Sequence, residues 1–106
     1  MEIVVAVYRL SARFPKAEIY GLASQVRRAA VSVPSNLAEG HERATTREYL
    51  NHVSMAQASL AEVETQLEIA TRLGYASSAE LKSFLEQTGI LGKQLHRLRD
   101  VLQKKI

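Results

Sequence analysis

Cysteine is absent from the 106 residues, so no disulfide framework, thiolate nucleophile or cysteine metal site is open to this chain. Proline occurs only at Pro15 and Pro34, and the five glycines stand singly at positions 21, 40, 74, 89 and 92. No glycine-rich loop is therefore present to cradle a phosphate. Aromatic residues make up 6% of the chain, which leaves few platforms on which bases could stack. Asp100 is the single aspartate, and no nucleophile-elbow motif accompanies it, so a Ser-His-Asp hydrolase has no support. No apolar run approaches the roughly 18 residues that span a bilayer. The opening MEIVVAVYRL is apolar but lacks the basic start and cleavage site of a signal peptide. The expectation is a cytoplasmic, non-enzymatic protein of one domain, residues 1–106, without cofactor or metal.

Histidine supports no metal centre either. Inward Glu-x-x-His pairs mark di-iron bundles, but the residues three before His41, His52 and His96 are Ala38, Tyr49 and Lys93. Glu48 and His52 lie one helical turn apart, and two ligands without a third make a weak case for zinc. The carboxylates Glu62 and Glu64 are two apart on a helix and point to different faces. Paired-carboxylate catalysis is unsupported.

What the chain does contain is helical periodicity, with no competing strand pattern. Ile3, Val7, Leu10 and Phe14 are spaced 4, 3 and 4, which predicts a first helix over about Glu2–Arg13. Val4, Val5 and Tyr8 widen its apolar face, as burial on two sides would require. Pro15 marks the first turn of a second helix, where its missing donor is harmless, and Glu18 suits the positive end of that helix. Gly40 is the expected left-handed cap at its end. Thr45 with Glu48 and Ser77 with Glu80 read as capping boxes that start the third and fourth helices. The third carries Leu50, Val53, Ala56, Leu60, Val63, Leu67 and Ala70, and Gly74 stops it. The fourth alternates spacings of 3 and 4 through Leu81, Phe84, Thr88, Leu91, Leu95, Leu98 and Leu102, a heptad seam interrupted only by Thr88. Gly89 and Gly92 in it read as close-packing points or as a weak spot. Short connections make neighbours antiparallel, so the fold class is an all-α, up-and-down four-helix bundle.

The stretch Phe14 to Arg43 organises the rest. Ile19, Leu22, Val26, Ala30, Val33 and Leu37 form its apolar stripe, and Arg28, Ser32, Asn36, Glu39 and Arg43 form a polar ribbon on another face. The ribbon is either an ordinary solvated face or a surface for self-association or a ligand. The polar strip Ser59, Glu62 and Gln66 on the third helix either faces this ribbon or is an ordinary solvent face. Pro34 removes a backbone donor and clashes with the carbonyl of Ala30. Because the apolar period crosses it without a phase change, the second helix is expected to be kinked at Pro34 and helical on both sides. Ser32, Ser35 and Asn36 stand ready to bond the backbone groups it frees. A full stop at Pro34 is the alternative.

The run IYGLASQVRRAAVSVPSNLAEGHER, preceded by Phe14-Pro15, and then SLAEVETQLEIATRLGY at Ser59 to Tyr75 resemble the bacterial four-helix-bundle proteins encoded in intervening sequences of 23S ribosomal RNA genes, also called S23 ribosomal proteins. The likeness covers Val7 to about Leu102. It implies a protomer of four helices that assembles into a ring, a homopentamer. The chain is also similar to the accessory proteins of diversity-generating retroelements, which implies nucleic acid and a reverse transcriptase as partners. Two departures stand out. The chain starts at Met1-Glu2-Ile3, where relatives carry further residues with a tryptophan and basic groups. Gln57-Ala58 replaces a frequent Arg-Gly, which removes one basic group.

Net charge is +3, and it alternates along the chain. Residues 1–47 carry seven Lys/Arg against four Asp/Glu, residues 48–75 one against four, and residues 76–106 six against three. An acidic helix between basic neighbours follows. Two functions fit. One is an oligomer that repeats a modest basic patch and holds RNA or DNA by its backbone. Its candidate contacts are Arg27, Arg28, Arg43, Arg47, Lys93 and Arg97. Lys93 and Arg97 share a face with Lys104, interrupted by Asp100. The other is a protein-interaction scaffold that touches no nucleic acid. Candidate interface positions are Arg28, Ser32, Pro34, Asn36, Glu39, Gly40, Ser59 and Glu62. Arg28 belongs to both sets: it contacts nucleic acid, or it bridges to Glu62 or Glu39 at a subunit interface. Whether the arginines are free or consumed by Glu39, Glu62 and Glu64 separates the two functions.

Overall fold

The computed structural model describes residues 1–106 and contains four α-helices and no strand: α1 (Glu2–Ser11), α2 (Leu22–His41), α3 (Thr46–Arg72) and α4 (Ser78–Gln103). A single 3-10 turn, Lys16–Glu18, lies between α1 and α2. The apolar stripes explain the packing. Val53, Ala56, Leu60, Val63, Leu67 and Ala70 of α3 are buried, and α2 and α4 both lie along α3 with no close approach between their own backbones. The short α1 packs on α2 and touches α4 more slightly. At about 1.5 Å per residue, α1 is some 15 Å long and α3 some 40 Å, so α1 covers only part of a body 46 Å in length. The larger core cluster lies beneath it, where Ile3, Val7, Leu10 and Phe14 meet Val26, Ala30, Val63, Leu67 and Phe84. Beyond α1, the core narrows to Val33, Ala56, Leu60 and Leu95.

The helix ends follow their local chemistry. Thr45 Oγ1 accepts from the Glu48 N–H at 3.2 Å. Ser77 and Glu80 complete a full capping box, each side chain accepting from the other's backbone N–H. Gly74, the one residue with positive φ (82°), closes α3. The N–H groups of Tyr75 and Gly74 reach back to the carbonyls of Ala70 and Thr71, the Schellman arrangement that favours glycine.

Several expectations are corrected. Pro15 does not open α2; it precedes the 3-10 turn, and α2 begins at Leu22. Glu18 supplies the cap instead, its Oε1 accepting from the Leu22 N–H at 3.2 Å. Ile19 consequently falls outside the stripe and is 53% exposed. Gly40 is not a left-handed cap: it lies inside α2, buried, and a Cβ there would stand 2.7 Å from Cβ of His52. Its value is the close approach of α2 to α3. Gly89 has nothing within 4 Å of a built Cβ and Gly92 only Leu60 at 3.8 Å, so neither is a close-packing point in the protomer. Val5 and Tyr8 remain half exposed, so α1 is not buried on two sides. α2 is helical on both sides of Pro34. The Asn36 amide bonds Ser32, not the Ala30 carbonyl that the proline leaves behind. Thr88, the break in the α4 seam, is buried and donates to Glu64 Oε2 at 2.7 Å.

Candidate functional site

The polar ribbon of α2 and the polar strip of α3 do face each other. Ser59 Oγ donates to Ser32 Oγ at 2.9 Å, and Asn36 Nδ2 donates to the same oxygen at 2.9 Å. His52 Nδ1 lies 3.1 Å from Asn36 Oδ1 and 3.9 Å from Glu39 Oε2. His52 and Ser59 are each buried to 8% exposure. Burial of these groups is tolerable because they satisfy one another. The network also fixes His52 toward Asn36 and Glu39, away from a shared site with Glu48. No group of three or more His, Cys, Asp or Glu side chains is close enough to hold a metal ion.

Toward the start of α2 the seam opens into a cleft of about 390 Å³, lined by Gln25, Arg28, Ser32, Ser59, Glu62 and Gln66 with Ala29. Arg28 and Glu62 both border it and both are exposed. Neither makes an ion pair within the chain, since the five pairs within 4.0 Å are Arg13–Glu80, His41–Glu42, His52–Glu39, Arg72–Glu68 and His96–Asp100. The intramolecular bridge from Arg28 to Glu62 or Glu39 is therefore not made.

The remaining basic candidates divide. Arg27 is committed to α1: Nε donates to Ser11 Oγ at 2.7 Å, and the guanidinium sits 4.8 Å from the centre of the Tyr8 ring. Such a cation–π contact ties helices together. Arg43, Arg47, Lys93 and Arg97 are exposed and unpaired. Carboxylates of the same region instead face histidines: Glu42 lies 3.7 Å from His41, and Asp100 3.6 Å from His96. Because α3 and α4 run antiparallel, the end of α4 lies at the same end of the bundle as the turn between α2 and α3. Lys104 and Lys105 therefore lie at the same end of the bundle as Arg43 and Arg47, a placement that helix-by-helix reading of the sequence does not give. Arg99, on the α3 side of α4, reaches Gln57 Oε1 at 3.4 Å, so the position of the family departure is a helix contact.

Two ionisable groups are displaced from their ordinary values, both at the opposite end. The Ser77 N–H, the Arg13 guanidinium and the Ser77 hydroxyl hold Glu80 below the ordinary 4.5. Tyr75 donates to Glu18 Oε2 at 3.0 Å, and that bond raises its pKa above 10.0.

A model of the family described as 23S rRNA-intervening sequence protein matches residues 1–97. Among solved structures, the fold is similar to a crystal structure of a protein of unknown function from the S23 ribosomal protein family of Bacteroides thetaiotaomicron. The two share 19% identity over 92% of each chain, with a TM-score of 0.84. At that identity the likeness concerns the fold alone. No curated protein matches the sequence. No helix is long and apolar enough to cross a membrane.

Proposed function

For a chain that belongs to the 23S rRNA-intervening sequence protein family, we propose a non-enzymatic homo-oligomer that binds the backbone of RNA or DNA through cations repeated on each copy. One observation carries the reading: Arg43, Arg47, Lys93 and Arg97 are exposed and have no carboxylate within ion-pair distance. Cations already neutralised by carboxylates would release few counterions from a nucleic acid, whereas unpaired ones release them and supply affinity. Arg27 is not among the contacts, because Ser11 and Tyr8 hold it. A protomer of net charge +3 makes a weak site, and repetition around an oligomer raises avidity without new contacts. Few aromatics are present to stack bases, so binding is indifferent to sequence and sensitive to salt.

The test is binding of an RNA hairpin and a DNA duplex of arbitrary sequence across a salt titration, with native mass recorded on the same sample. The expected result is an oligomer whose affinity falls steeply as salt rises. An intact oligomer that binds neither at low salt would remove this reading and leave the protein-interaction scaffold.

A further inference from the structure

α1 packs chiefly on α2 and touches α4 only slightly. The gap between α1 and α4 holds two cavities, of about 420 and 310 Å³, that share Gln87 as a wall. Together they make one groove. On α4 it extends from Glu80 to Gln94, about 21 Å at the helical rise, so it runs the length of α1. Its floor is apolar: Ile3, Leu10 and Phe84 are buried, and Ala6 and Leu91 are half-buried. Ile90 and Met1 also line it and are 62% and 82% exposed. The rim is polar and only partly committed. Arg13 is paired with Glu80, whereas Arg9 lines the same end with no carboxylate within ion-pair distance. Glu2, at the other end, is likewise unpaired.

We infer that the α1–α4 groove seats an amphipathic helix of a different protein, with its apolar stripe on Leu10, Phe84 and Leu91 and a carboxylate against Arg9. Shape selects a helix. The walls are themselves helices and offer no strand edge, so an extended peptide finds no backbone pairing here. The groove is open along its length, so a small ligand would stay largely in water, unlike one in an enclosed pocket. A helix of about 14 residues matches the length, and apolar anchors at i, i+3, i+4 and i+7 cover the floor. An apolar floor with a polar rim is the ordinary build of a protein-binding surface. Charge selects the sign at one end. Arg9 is the cation there without a partner, and a carboxylate on the incoming helix gives it a charge-assisted bond. A nucleic acid would instead meet the carboxylates of Glu2 and Glu80 and leave the apolar floor unused. Arg43, Arg47, Lys93 and Arg97 do not line this groove, so the inference stands independently of the nucleic-acid reading.

The probes are two synthetic helical peptides of that length with the same leucine stripe, one with glutamates and the other with lysines in its first turn. Fluorescence anisotropy follows each against the full chain, against Arg9→Glu and Arg9→Gln, and against Ile90→Asp. Circular dichroism checks folding. Arg9 and Ile90 are exposed, and Arg9→Gln is the milder change should Arg9→Glu unfold α1. The wild-type chain is expected to bind the glutamate peptide saturably. Arg9→Glu should weaken that peptide about tenfold or more, because like charges then face each other, and leave the lysine peptide no weaker. Arg9→Gln should act in the same direction by less, and Ile90→Asp should weaken both peptides. A wild-type chain that fails to bind the glutamate peptide would overturn the inference, whether its groove is empty or covered by a second copy. So would folded Arg9 variants that bind it as tightly as wild type, or that lose both peptides equally. Displacement of the glutamate peptide by an RNA hairpin would give the groove to nucleic acid and overturn it too.

Discussion

The two halves of the bundle share the same three long helices and differ in whether α1 lies over them. Under α1 the core cluster holds twelve buried residues, against four beyond it. Arg27 to Ser11, Arg13 to Glu80 and Tyr75 to Glu18 tie α1 and its connection into that half, while Ser59 to Ser32, His52 to Asn36 and Arg99 to Gln57 tie the three long helices together beyond it. Beyond α1, polar groups occupy the α2–α3 seam, and the unpaired cations Arg43, Arg47 and Arg97 lie on the surface, with Lys93 at the border. The contrast shows a division of labour within one small domain. One half holds most of the apolar core, and the other holds the polar α2–α3 seam and the cations Arg43, Arg47 and Arg97.

Core truncation breaks this comparison most directly. Leu67→Ala, under α1, should destabilise the fold by about 2–5 kcal/mol, whereas Leu95→Ala, equally buried, should fall near the low end of that range because its smaller cluster collapses more readily around the lost volume. Denaturant midpoints measure both, and equal losses would erase the difference between the halves. Glycine substitutions sharpen it next. Gly40→Ala places a Cβ 2.7 Å from that of His52 and should cost about 1–3 kcal/mol by overpacking. Gly89→Ala meets nothing within 4 Å and should stabilise by about 1 kcal/mol through helix propensity. A Gly40→Ala melting temperature at or above that of wild type would refute the close approach at Gly40.

Charge removal follows. Arg43→Ala with Arg47→Ala should leave stability within about 0.5 kcal/mol. The same pair should lower the log–log salt slope of nucleic-acid binding by about 1 for each phosphate no longer neutralised. Titration effects are the smallest and belong to the covered half. The Glu80 pKa is depressed in the fold, so its contribution is present above the unfolded value near 4.5 and is lost as pH falls through the lower folded value. Glu80→Gln should therefore flatten stability below pH 4.5, as an acid titration of the melting temperature would read. The Tyr75 pKa is raised, so its contribution is complete below pH 10 and disappears as pH rises through the folded value. Tyr75→Phe should remove that alkaline dependence.

Much of the fold was legible because apolar spacing and caps are local. The α3 and α4 stripes, the capping at Thr45 and Ser77 and the stop at Gly74 each depend on residues within a turn or two. The errors share a physical origin: they need knowledge of what lies across the helix. Gly40 resembles a cap in one dimension, and only the neighbouring His52 shows that it is a crossing point. Pro15 begins a helical pattern, but the 3-10 turn ends it before Leu22. Basic candidates suffered in the same way. Arg27 and Arg28 are adjacent in sequence, but one faces Tyr8 of α1 and the other the cleft beside Glu62. Lys104 and Lys105 come to the same end of the bundle as Arg43 and Arg47 only through the antiparallel course of α4. The facing of the Ser32 and Ser59 strips was one of two readings that the helical periods left open, the other being a solvent face, and the Ser59–Ser32 bond decides it.

The central claim is that unpaired cations outside the covered half bind nucleic acid while the covered half maintains the fold. Its most direct test compares wild type with a single variant carrying Arg43→Ala, Arg47→Ala, Lys93→Ala and Arg97→Ala, by following RNA affinity through a salt titration. The account predicts a much shallower salt slope and weaker binding, with melting temperature and native mass unchanged. An unchanged slope, or a loss of binding that comes only with a loss of fold, would contradict it.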